Sequence, residues 1–497
     1  MTDDRPHLAV IGAGPAGLAA TVAAAAHGVR VTLIDSATQA GGQFYRQPAA
    51  ELNAGRPQAL HHQWRTWERL SNSLAGHVEA SRVRHLTDHH VWLVERRLRQ
   101  EAGTSDRGGP RDGGGPRDAF TVHALLGPEQ QNPVEVRADA VLLATGGYEK
   151  VLPFPGWTVP GVLTAGGAQA MLKGALAVPG RTAVVAGTGP LLLPVATGLA
   201  AAGVEVAALV ESADPKAFAR RSRALATQPG KVAEGARYAA QLLRHRIKLL
   251  TRHTVIQAHG DDRLEAVTVA ALDTDGRVRP GTERRIACDT LAVGHGMLPH
   301  TDLAETLGCR LDGLDVQVDD EQRTDVPGVW AAGETTGIGG AALSLAEGHI
   351  AGRSAAARLN GTEPDPRTWA PAAKSRTKLR EFFAVLDAVY APPARWTDLV
   401  TDDTVVCRCE EVTGGAIREA VDGLGAGDVR TVKLLTRAGM GWCQGRMCGL
   451  AAAGLAGCEL TPSRRPFARP VPLGVLARAG EAEADRPVAA PPDVLPD

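Results

Sequence analysis

The fold of this chain is decided by one stretch near its N-terminus, LAVIGAGPAGLAATVAAAAHGVRVTLID, residues 8–35. A short apolar run, as expected of a strand buried on both faces, leads into a G-x-G-x-x-G turn at Gly12–Gly17 and an Ala-rich helix. A second strand then ends at Asp35, whose carboxylate can accept hydrogen bonds from ribose hydroxyls. This order predicts one βαβ unit of a dinucleotide-binding domain.

The glycine turn has the residues that a bound pyrophosphate needs. Gly12 permits the tight turn, Gly14 lets the backbone approach the phosphates, and Gly17 lets the helix pack against the strand. The free N–H groups and the partial positive charge of the helix N-terminus attract the phosphates. We therefore expect the cofactor to contact Gly12, Gly14, Pro15, Ala16 and Gly17.

A second glycine turn, GGQFYR at residues 41–46, follows Asp35 after a short gap. FAD is longer than NAD and must run past more of the backbone, so a second turn at this place favours FAD. We expect Gly42 and Gln43 to contact the flavin nucleotide.

Two distant stretches agree with FAD. Residues 138–147, ADAVLLATGG, read as a strand that ends in A-T-G-G. Residues 329–340, VWAAGETTGIGG, read as a strand, an acid and a glycine turn that leads into an Ala-rich helix. The contacts that we expect from these two stretches are Ala144, Thr145, Gly146, Gly333, Glu334 and Gly340.

Length and composition restrict the remaining possibilities. The 497 residues are enough for about two to four domains, and the 44% hydrophobic content supports large cores. A net charge of −1 gives no reason to expect a nucleic-acid partner. The first residues do not have the pattern of a signal peptide, and the seven cysteines do not resemble a secreted disulfide framework. We therefore expect a cytoplasmic protein.

One uncharged stretch, residues 182–204, has about the length that a membrane-spanning helix needs. It contains Gly187, Gly189, Pro190 and Pro194, and it divides into a strand, a glycine turn and a helix. We therefore predict a second Rossmann unit here and no transmembrane segment.

This second unit matches the dinucleotide fingerprint only in part. Gly187 and Gly189 occupy the first two glycine positions, but Leu192 stands at the third. Glu211 closes the following strand, where an acid can meet a ribose. Two interpretations stay open: the site binds NAD(P) or another nucleotide, or the unit is retained for architecture. His295, in the later turn GHGMLP, is expected to be a turn residue rather than a base.

Four cysteines stand in two pairs near the C-terminus, Cys407 with Cys409 and Cys443 with Cys448. Four thiolates on a small helical module can hold a [2Fe–2S] cluster. Structural zinc is the rival interpretation, but zinc sites favour a wider spacing than C-x-C. We do not expect the other three cysteines to be ligands; they are Cys288, Cys309 and Cys458.

Two short helices are expected between the cysteine pairs, with Thr413 and Asp428 as their N-caps. Backbone N–H groups and positive charges close to the sulfurs raise the reduction potential of such a cluster. The candidates for these contacts are Gly439, Gly441, Gly445, Gly449, Arg408, Lys433, Arg437 and Arg446.

The motifs divide the chain into five parts. We expect an FAD-binding domain at 1–160 and 288–360, an inserted NAD(P)-like Rossmann domain at 161–287, a linker with helical segments at 361–400, an iron–sulfur module at 401–463 and a Pro- and Ala-rich tail at 464–497. The strand that begins at Leu291 is expected to return the chain to the FAD domain. Residues 107–118, RGGPRDGGGPRD, are expected to form a flexible surface loop.

Several of these motifs together resemble one family over residues 8 to 476. The stretches that carry the resemblance are GAGPAGLAA, GGQFYRQ, GHGMLP, AAGETTGIGGA, CRCEEVT and KLLTRAGMGWCQGRMCG. They resemble the flavoprotein A (alpha) subunit of octopine and nopaline oxidases, hydrogen cyanide synthase, and dye-linked proline and hydroxyproline dehydrogenases. The resemblance implies an α/β fold with two dinucleotide-binding domains and a small helical [2Fe–2S] domain like that of bacterioferritin-associated ferredoxin. It also implies that Glu334 holds the flavin ribityl chain, where many relatives have Asp.

The resemblance also implies a role within a complex. A separate subunit, similar to D-amino-acid dehydrogenases, oxidises the C–N bond of an opine, proline, hydroxyproline or glycine type of substrate, and a small ferredoxin-like subunit is a further candidate partner. This chain then relays electrons through FAD and cluster to a quinone or another acceptor, at a peripheral position on the inner membrane face if the acceptor is a quinone. No catalytic base is identified. The alternatives are a stand-alone NAD(P)H-dependent reductase of a protein acceptor and a nucleotide-binding scaffold subunit.

Overall fold

The structure is a computed structural model that describes residues 5–61, 63–96, 119–219, 229–462 and 464–484. The expected loop at 107–118 and the end of the expected tail, 485–497, lie outside the described residues. Among the described helices, none is long and apolar enough to cross a membrane.

The described residues of the first third of the chain include two α-helices and eight strands. These are β1 (His7–Ile11), α1 (Pro15–Ala26), β2 (Arg30–Ile34), α2 (Trp64–Glu79), β3 (Val83–Leu86), β4 (His89–Arg96), β5 (Phe120–Leu126), β6 (Asn132–Ala138), β7 (Ala140–Leu143) and β8 (Gly147–Glu149). Strands β1 and β2 pair in parallel on either side of α1 in sequence, so the predicted βαβ unit is confirmed.

The middle of the chain adds a second set of elements. These are β9 (Val162–Thr164), α3 (Ala165–Ala175), β10 (Thr182–Gly187), α4 (Leu192–Ala201), β11 (Glu205–Glu211), α5 (Lys216–Ala219), α6 (Pro229–Arg244), β12 (Leu249–Thr251), β13 (His253–His259), β14 (Ala266–Ala271), β15 (Arg284–Ala287), β16 (Thr290–Gly294) and β17 (Met297–Pro299). The strand, glycine turn and helix predicted from residue 182 onwards are therefore present.

The last part of the chain returns to the first domain and then forms the C-terminal module. Its elements are α7 (Asp302–Thr306), β18 (Leu311–Asp312), β19 (Asp315–Val316), β20 (Val329–Ala331), α8 (Gly340–Leu359), α9 (Ala370–Val389), β21 (Val405–Cys407), β22 (Val412–Thr413), α10 (Gly414–Arg418), α11 (Val429–Thr436), α12 (Gly449–Leu455) and α13 (Leu473–Ala484).

Two parallel five-stranded sheets form the framework. The first sheet has the strand order β20-β7-β1-β2-β3 and the second has the order β12-β11-β10-β16-β9. Three-stranded antiparallel sheets, β4-β5-β6 and β13-β14-β15, accompany them. The α/β fold class with two Rossmann-type units is therefore confirmed.

Small residues bring α1 and α8 into close contact on the first sheet. A Cβ atom on Gly348 would lie 2.1 Å from the carbonyl oxygen of Ala16, and one on Gly352 would lie 2.3 Å from that of Ala20. Such a close approach is possible only without side chains at those two positions. The Ala- and Gly-rich sequences of both helices thus reflect the packing behind the first fingerprint.

The expected return to the first sheet at Leu291 is wrong. Strand β16 lies in the second sheet, where it pairs in parallel with β10 and with β9. The chain leaves the second sheet only after Gly294, and β17 then pairs antiparallel with β8 to form the crossover between the two units. A buried apolar strand has the same local pattern in either sheet, so only its neighbours decide where it lies.

The C-terminal module has a small core of its own, which includes Val406, Ile417 and Val432. Both predicted N-caps are confirmed. The Thr413 side chain accepts a hydrogen bond from the N–H of Ala416, and that of Asp428 accepts one from Thr431. The first of the two expected helices continues as a π-helical turn, Glu419–Gly423.

Candidate cofactor sites

The first fingerprint has the sterics of a nucleotide-binding turn. Gly12 has a φ angle of +105°, and a Cβ atom there would lie 2.2 Å from the carbonyl oxygen of Ala144. A Cβ on Gly17 would lie 1.8 Å from the carbonyl oxygen of Gly12. A Cβ on Gly14 would meet only the Cα of Gly42, at 4.0 Å. The space in front of Gly14 is therefore free for a pyrophosphate.

The two glycine turns predicted for FAD lie side by side. The N–H of Gly41 donates to the carbonyl oxygen of Ala13 at 2.8 Å. A Cβ on Gly42 would lie 2.8 Å from the Cα of Gly14. Beside them, the side-chain oxygen of Gln43 accepts a hydrogen bond from Arg46 at 2.7 Å.

Asp35 is held at the end of β2 by backbone donors. Its carboxylate accepts hydrogen bonds from the N–H of Ala13 at 2.5 Å and from that of Ala37 at 2.7 Å. Burial raises the pKa of the Asp35 carboxyl, and these two donors oppose the change. A carboxylate has about four lone pairs, so it can still accept hydrogen bonds from ribose hydroxyls.

The A-T-G-G and G-E-T-T stretches meet at the turn after β17. The hydroxyls of Thr145 and Thr335 both donate to the carbonyl oxygen of His300, at 2.5 and 3.2 Å. Glu334 is buried beside them, which raises the pKa of its carboxyl, and it accepts a hydrogen bond from the N–H of Gly340. The residues expected at the flavin from these distant stretches are thus close together.

A buried carboxylate that the sequence did not indicate supports the G-E-T-T turn. Glu347, on α8, accepts hydrogen bonds from the N–H of Gly333 at 2.9 Å and from the hydroxyl of Thr336 at 3.0 Å. Arg380, on α9, forms an ion pair with the same carboxylate at 2.6 Å. The long Ala- and Gly-rich helix gave no local sign that its single acidic residue would be buried beside a cofactor turn.

The second fingerprint repeats the geometry of the first. Glu211 accepts hydrogen bonds from the N–H groups of Gly189 at 3.1 Å and Ala213 at 2.9 Å, as Asp35 does from Ala13 and Ala37. Burial raises the pKa of the Glu211 carboxyl to about 7. Gly187 has a φ angle of +131° and lies against Gly294.

Two features distinguish this second turn from the first. Leu192, at the third glycine position, is buried with 1% of its surface exposed. The end of α9 lies over the turn, where the hydroxyl of Thr188 donates to the carbonyl oxygen of Tyr390 at 3.4 Å. The ring of Tyr390 also packs near Phe218, which follows β11.

The four predicted cluster cysteines are close together. Hydrogen bonds between thiols connect Cys448 to Cys443 and to Cys407, and Cys443 to Cys409. Cys407 and Cys448 are buried, Cys443 is half-buried and Cys409 is exposed. Of the residues that the structure describes, no group of three His, Cys, Asp or Glu is arranged to hold a single metal ion.

The loop from Cys443 to Cys448 is suited to anionic sulfur. The hydrogen bond from Cys448, together with the N–H groups of Met447 and Gly445, lowers the pKa of the Cys443 thiol to about 5. That thiolate and burial raise the pKa of the Cys448 thiol. A Cβ on Gly441 would lie 2.1 Å from the Cβ of Cys409, so this expected glycine is required by close approach.

Three of the four positive charges expected near the cluster have definite partners. Arg437 forms an ion pair with Glu410 at 2.8 Å, and Arg446 forms one with Asp302 at 2.7 Å. Arg408 lies over the ring of Trp157, 5.6 Å from its centre. Cys288 and Cys309 are buried in the cores of the two Rossmann units, where burial raises the pKa of each thiol.

Comparison with known proteins agrees with these sites. Residues 6–358 match the model of the pyridine nucleotide-disulphide oxidoreductase family, and residues 405–455 match the BFD-like [2Fe-2S] binding domain. The chain is 34% identical over 450 residues to the HcnB subunit of hydrogen cyanide synthase from Pseudomonas protegens, over 88% of this chain and 89% of that protein. It is 33% identical over 454 residues to the A subunit of opine oxidase from Agrobacterium tumefaciens, over 89% and 83% of the two chains.

A solved structure shows the same fold. L-proline dehydrogenase from P. horikoshii aligns with a TM-score of 0.63 at 20% sequence identity, over 96% of this chain and 81% of that chain. The fold and the two sites define an oxidoreductase that binds FAD and a [2Fe–2S] cluster. The chain belongs, within the pyridine nucleotide-disulphide oxidoreductases, to the family that includes the HcnB subunit of hydrogen cyanide synthase and the A subunit of opine oxidase.

Proposed function

We propose that this chain is the electron-relaying subunit of a complex that oxidises the C–N bond of an amino or imino acid. One observation carries the proposal: a flavin site and an iron–sulfur module lie in one chain, and one side of the cysteine site reaches the surface at Cys409. When bound, FAD and the cluster supply two-electron and one-electron redox chemistry. The chain's own residues bind the cofactors, hold them and determine their electrostatic surroundings.

Exposed apolar side chains on the C-terminal module support a protein partner there. Trp442 is 65% exposed beside Cys443, and Leu434 and Leu435 of α11 are 64% and 48% exposed. Exposed apolar groups of this size are typical of protein interfaces, in which tryptophan often contributes most of the binding energy. We propose that this surface binds the flavoprotein subunit that resembles D-amino-acid dehydrogenases.

We propose the following division of labour between the two subunits. The partner subunit would take two electrons and two protons from the substrate, which would leave an imine for hydrolysis, and the electrons would then pass to this chain. A quinone or another external acceptor then reoxidises it. Four of the seven cysteines are assigned to the cluster rather than to disulfides, and we propose a cytoplasmic location.

The test is reconstitution of the complex. The full chain is co-expressed with the D-amino-acid-dehydrogenase-like protein of the same genome, and amino and imino acids are added without oxygen. We expect at least one substrate to bleach the flavin and cluster absorbance of this chain, and only in the presence of the partner. If the two proteins do not associate, or no such substrate reduces this chain, the proposal is wrong.

A matched pair of variants tests the binding surface. Trp442→Ala is expected to weaken partner binding by about tenfold or more, as for a central interface tryptophan. Leu243→Ala changes an 81% exposed apolar residue of α6, in the second Rossmann unit, and is expected to leave binding unchanged. Equal effects of the two substitutions would place the partner elsewhere.

A second candidate function is an NAD(P)H-dependent reductase, which is favoured by Glu211 at the position equivalent to Asp35. We expect this function to be absent, because Leu192 in place of the third glycine should hold the helix farther from the strand and disfavour tight NAD(P) binding. The end of α9 also lies over the second turn. Calorimetry with NADH, NADPH and ATP measures binding, and stopped-flow mixing measures flavin reduction. A micromolar NADH dissociation constant with rapid bleaching would favour the reductase, whereas a purified chain without flavin and cluster colour would favour the scaffold.

A further inference from the structure

The carboxylate of Asp302 is the point at which the flavin-binding unit and the cysteine loop meet. It is 8% exposed at the start of α7. Arg446 donates to its Oδ2 atom from Nη2 at 2.7 Å and from Nε at 3.0 Å. Arg465 donates to Oδ1 at 2.6 Å, and His300 Nε2 lies 3.0 Å from Oδ2.

The charges at this point are well matched. A buried carboxylate is costly unless it is paired and hydrogen-bonded, and Asp302 has partners on both oxygens. Burial by itself would raise the pKa of Asp302, but the hydrogen bond from His300 and the charges of Arg446 and Arg465 hold it well below its usual range. Asp302 is therefore a permanent negative charge beside two guanidinium groups.

On one side, Asp302 is connected to the flavin motifs through His300. The His300 N–H donates to the carbonyl oxygen of Gly146 at 2.9 Å. Its carbonyl oxygen accepts the hydroxyls of Thr145 and Thr335. The His300 backbone is thus held by both the A-T-G-G and the G-E-T-T stretches, two residues before Asp302.

On the other side, Asp302 is connected to the cysteine loop through Arg446. Arg446 lies between Cys443 and Cys448 and donates to the carbonyl oxygens of Cys443 at 3.4 Å and Ala468 at 2.7 Å. The next residue, Met447, packs against the apolar cluster that contains Trp157. The loop that carries two cluster ligands is therefore bound to the flavin unit by an ion pair in which two Arg446 donors contact one Asp302 oxygen.

We propose that Asp302 is a positioning residue that holds the cysteine loop against the flavin site and neutralises Arg446 next to the cluster. This role of Asp302 rests on the proposed function, because it serves electron transfer only if the chain relays electrons. Electron transfer slows steeply as cofactors move apart, so a loose loop would slow transfer between flavin and cluster. The reduction potential of an iron–sulfur cluster depends on the net charge around it, so Asp302 also affects the driving force.

The test uses the full chain with both cofactors and without any partner. Asp302→Asn removes the negative charge and nearly keeps the shape. We expect it to retain FAD and about two iron per chain. The cluster potential, measured by redox titration with EPR detection, should become more positive, because Arg446 and Arg465 are no longer neutralised. Transfer from photoreduced flavin to cluster should slow by about tenfold or more, as for a small misplacement of reacting groups.

Two further variants test the direction in which the cluster potential shifts. Arg465→Gln removes one positive charge and leaves the Asp302–Arg446 pair, so the cluster potential should become more negative. Asp302→Glu should restore the potential towards the wild-type value. A matched control is Glu321→Gln, which breaks another carboxylate–arginine pair of the first unit, with Arg358 at 2.8 Å; it should change neither potential nor rate.

The outcomes separate positioning from mere stabilisation. Opposite potential shifts in Asp302→Asn and Arg465→Gln support the proposal. Unchanged values in both, or the same changes in Glu321→Gln, would overturn it. If Asp302→Asn loses its iron, the test rests on Arg465→Gln and Asp302→Glu. A wild-type cluster potential in Arg465→Gln would then overturn the proposal. No amine or partner is needed, so a failure of the proposed function would leave this result intact.

Discussion

At the scale of single residues, the glycines of the first fingerprint have two different roles: some are required by the fold and one by the ligand. Gly12 and Gly17 are required by the backbone itself, since a Cβ at either would overlap a carbonyl oxygen. Gly14 has an ordinary φ angle of −74° and free space in front of it. Its lack of a side chain therefore serves the cofactor rather than the fold.

Gly14→Val is expected to produce a folded chain without flavin, because the branched side chain would occupy the space of the pyrophosphate. The visible flavin absorbance of the purified protein, compared with its circular dichroism, measures this. Gly76→Ala, on α2 where nothing lies within 4 Å of the new Cβ, is the control and should keep its flavin. A Gly14→Val protein with full flavin content would contradict the assignment.

The cysteines make a second prediction at this scale. Cys443→Ser replaces a soft ligand by a hard one that ionises poorly, so iron and acid-labile sulfide should be lost. FAD should stay bound, because the first sheet has a core separate from that of the C-terminal module. Cys458→Ser is the control and should keep about two iron per chain. One zinc and no sulfide in the wild type would refute the cluster.

At the scale of elements, α9 does more than connect two domains. The expected linker at 361–400 contains a 20-residue helix, and its Arg380 reaches the buried Glu347 of α8. A Cβ on Gly337 would lie 2.5 Å from the Nη1 atom of Arg380, which shows how closely the guanidinium lies against the G-E-T-T turn. Helix α9 is thus a support of the flavin site.

Arg380→Met should therefore lower both stability and flavin retention. The change leaves the Glu347 carboxylate buried without its cation, which costs about 3–5 kcal/mol in comparable pairs. Thermal unfolding and flavin release on gel filtration are the measurements. Arg395→Ala breaks an exposed pair with Asp398, about half exposed on both sides, and should cost less than about 1 kcal/mol. Similar losses of stability in both variants would show that burial of the Glu347 carboxylate does not increase the cost of removing its partner.

At the scale of the whole molecule, the C-terminal segment, residues 464–484, connects the cysteine module to the first unit. Although a tail was expected from residue 464, Phe467 packs edge-on against Trp92 at 5.0 Å, and Val475 is 2% exposed. Arg465 forms an ion pair with Asp302. The segment thus runs from the cysteine module back over the antiparallel sheet of the first unit.

A chain that ends at residue 462 should be less stable and should show an altered cluster. Burial of side chains such as Phe467 and Val475 contributes about 1.5–3 kcal/mol each when complete, so the first thermal transition should fall by several degrees. Its cluster potential should become more negative, as in Arg465→Gln. A chain that ends at residue 484 is the control and should match the full chain. Equal behaviour of the two truncated chains would show that the segment is dispensable.

Features that depend on residues close together in the chain could be predicted from the amino-acid sequence. The βαβ unit follows from hydrophobic periodicity and from a glycine turn, in which close packing requires Gly12 and Gly17 and the approach of a pyrophosphate requires Gly14. The N-caps at Thr413 and Asp428 could be predicted because each side chain accepts a hydrogen bond from a backbone N–H group in the first turn of its own helix. The cysteine pairs indicated a cluster because the chemistry of thiolate ligands is visible in residue type and spacing.

The folded structure was needed to establish the features that join distant parts of the chain. It showed that β16 lies in the second sheet. It also showed that Arg446 pairs with Asp302, 144 positions away in the sequence, and that Arg380 pairs with Glu347. Each of these partners was selected by packing among several candidates with the same local pattern. A buried ion pair leaves no periodic signal in the sequence, because its cost and its stabilisation arise only when folding removes both groups from water.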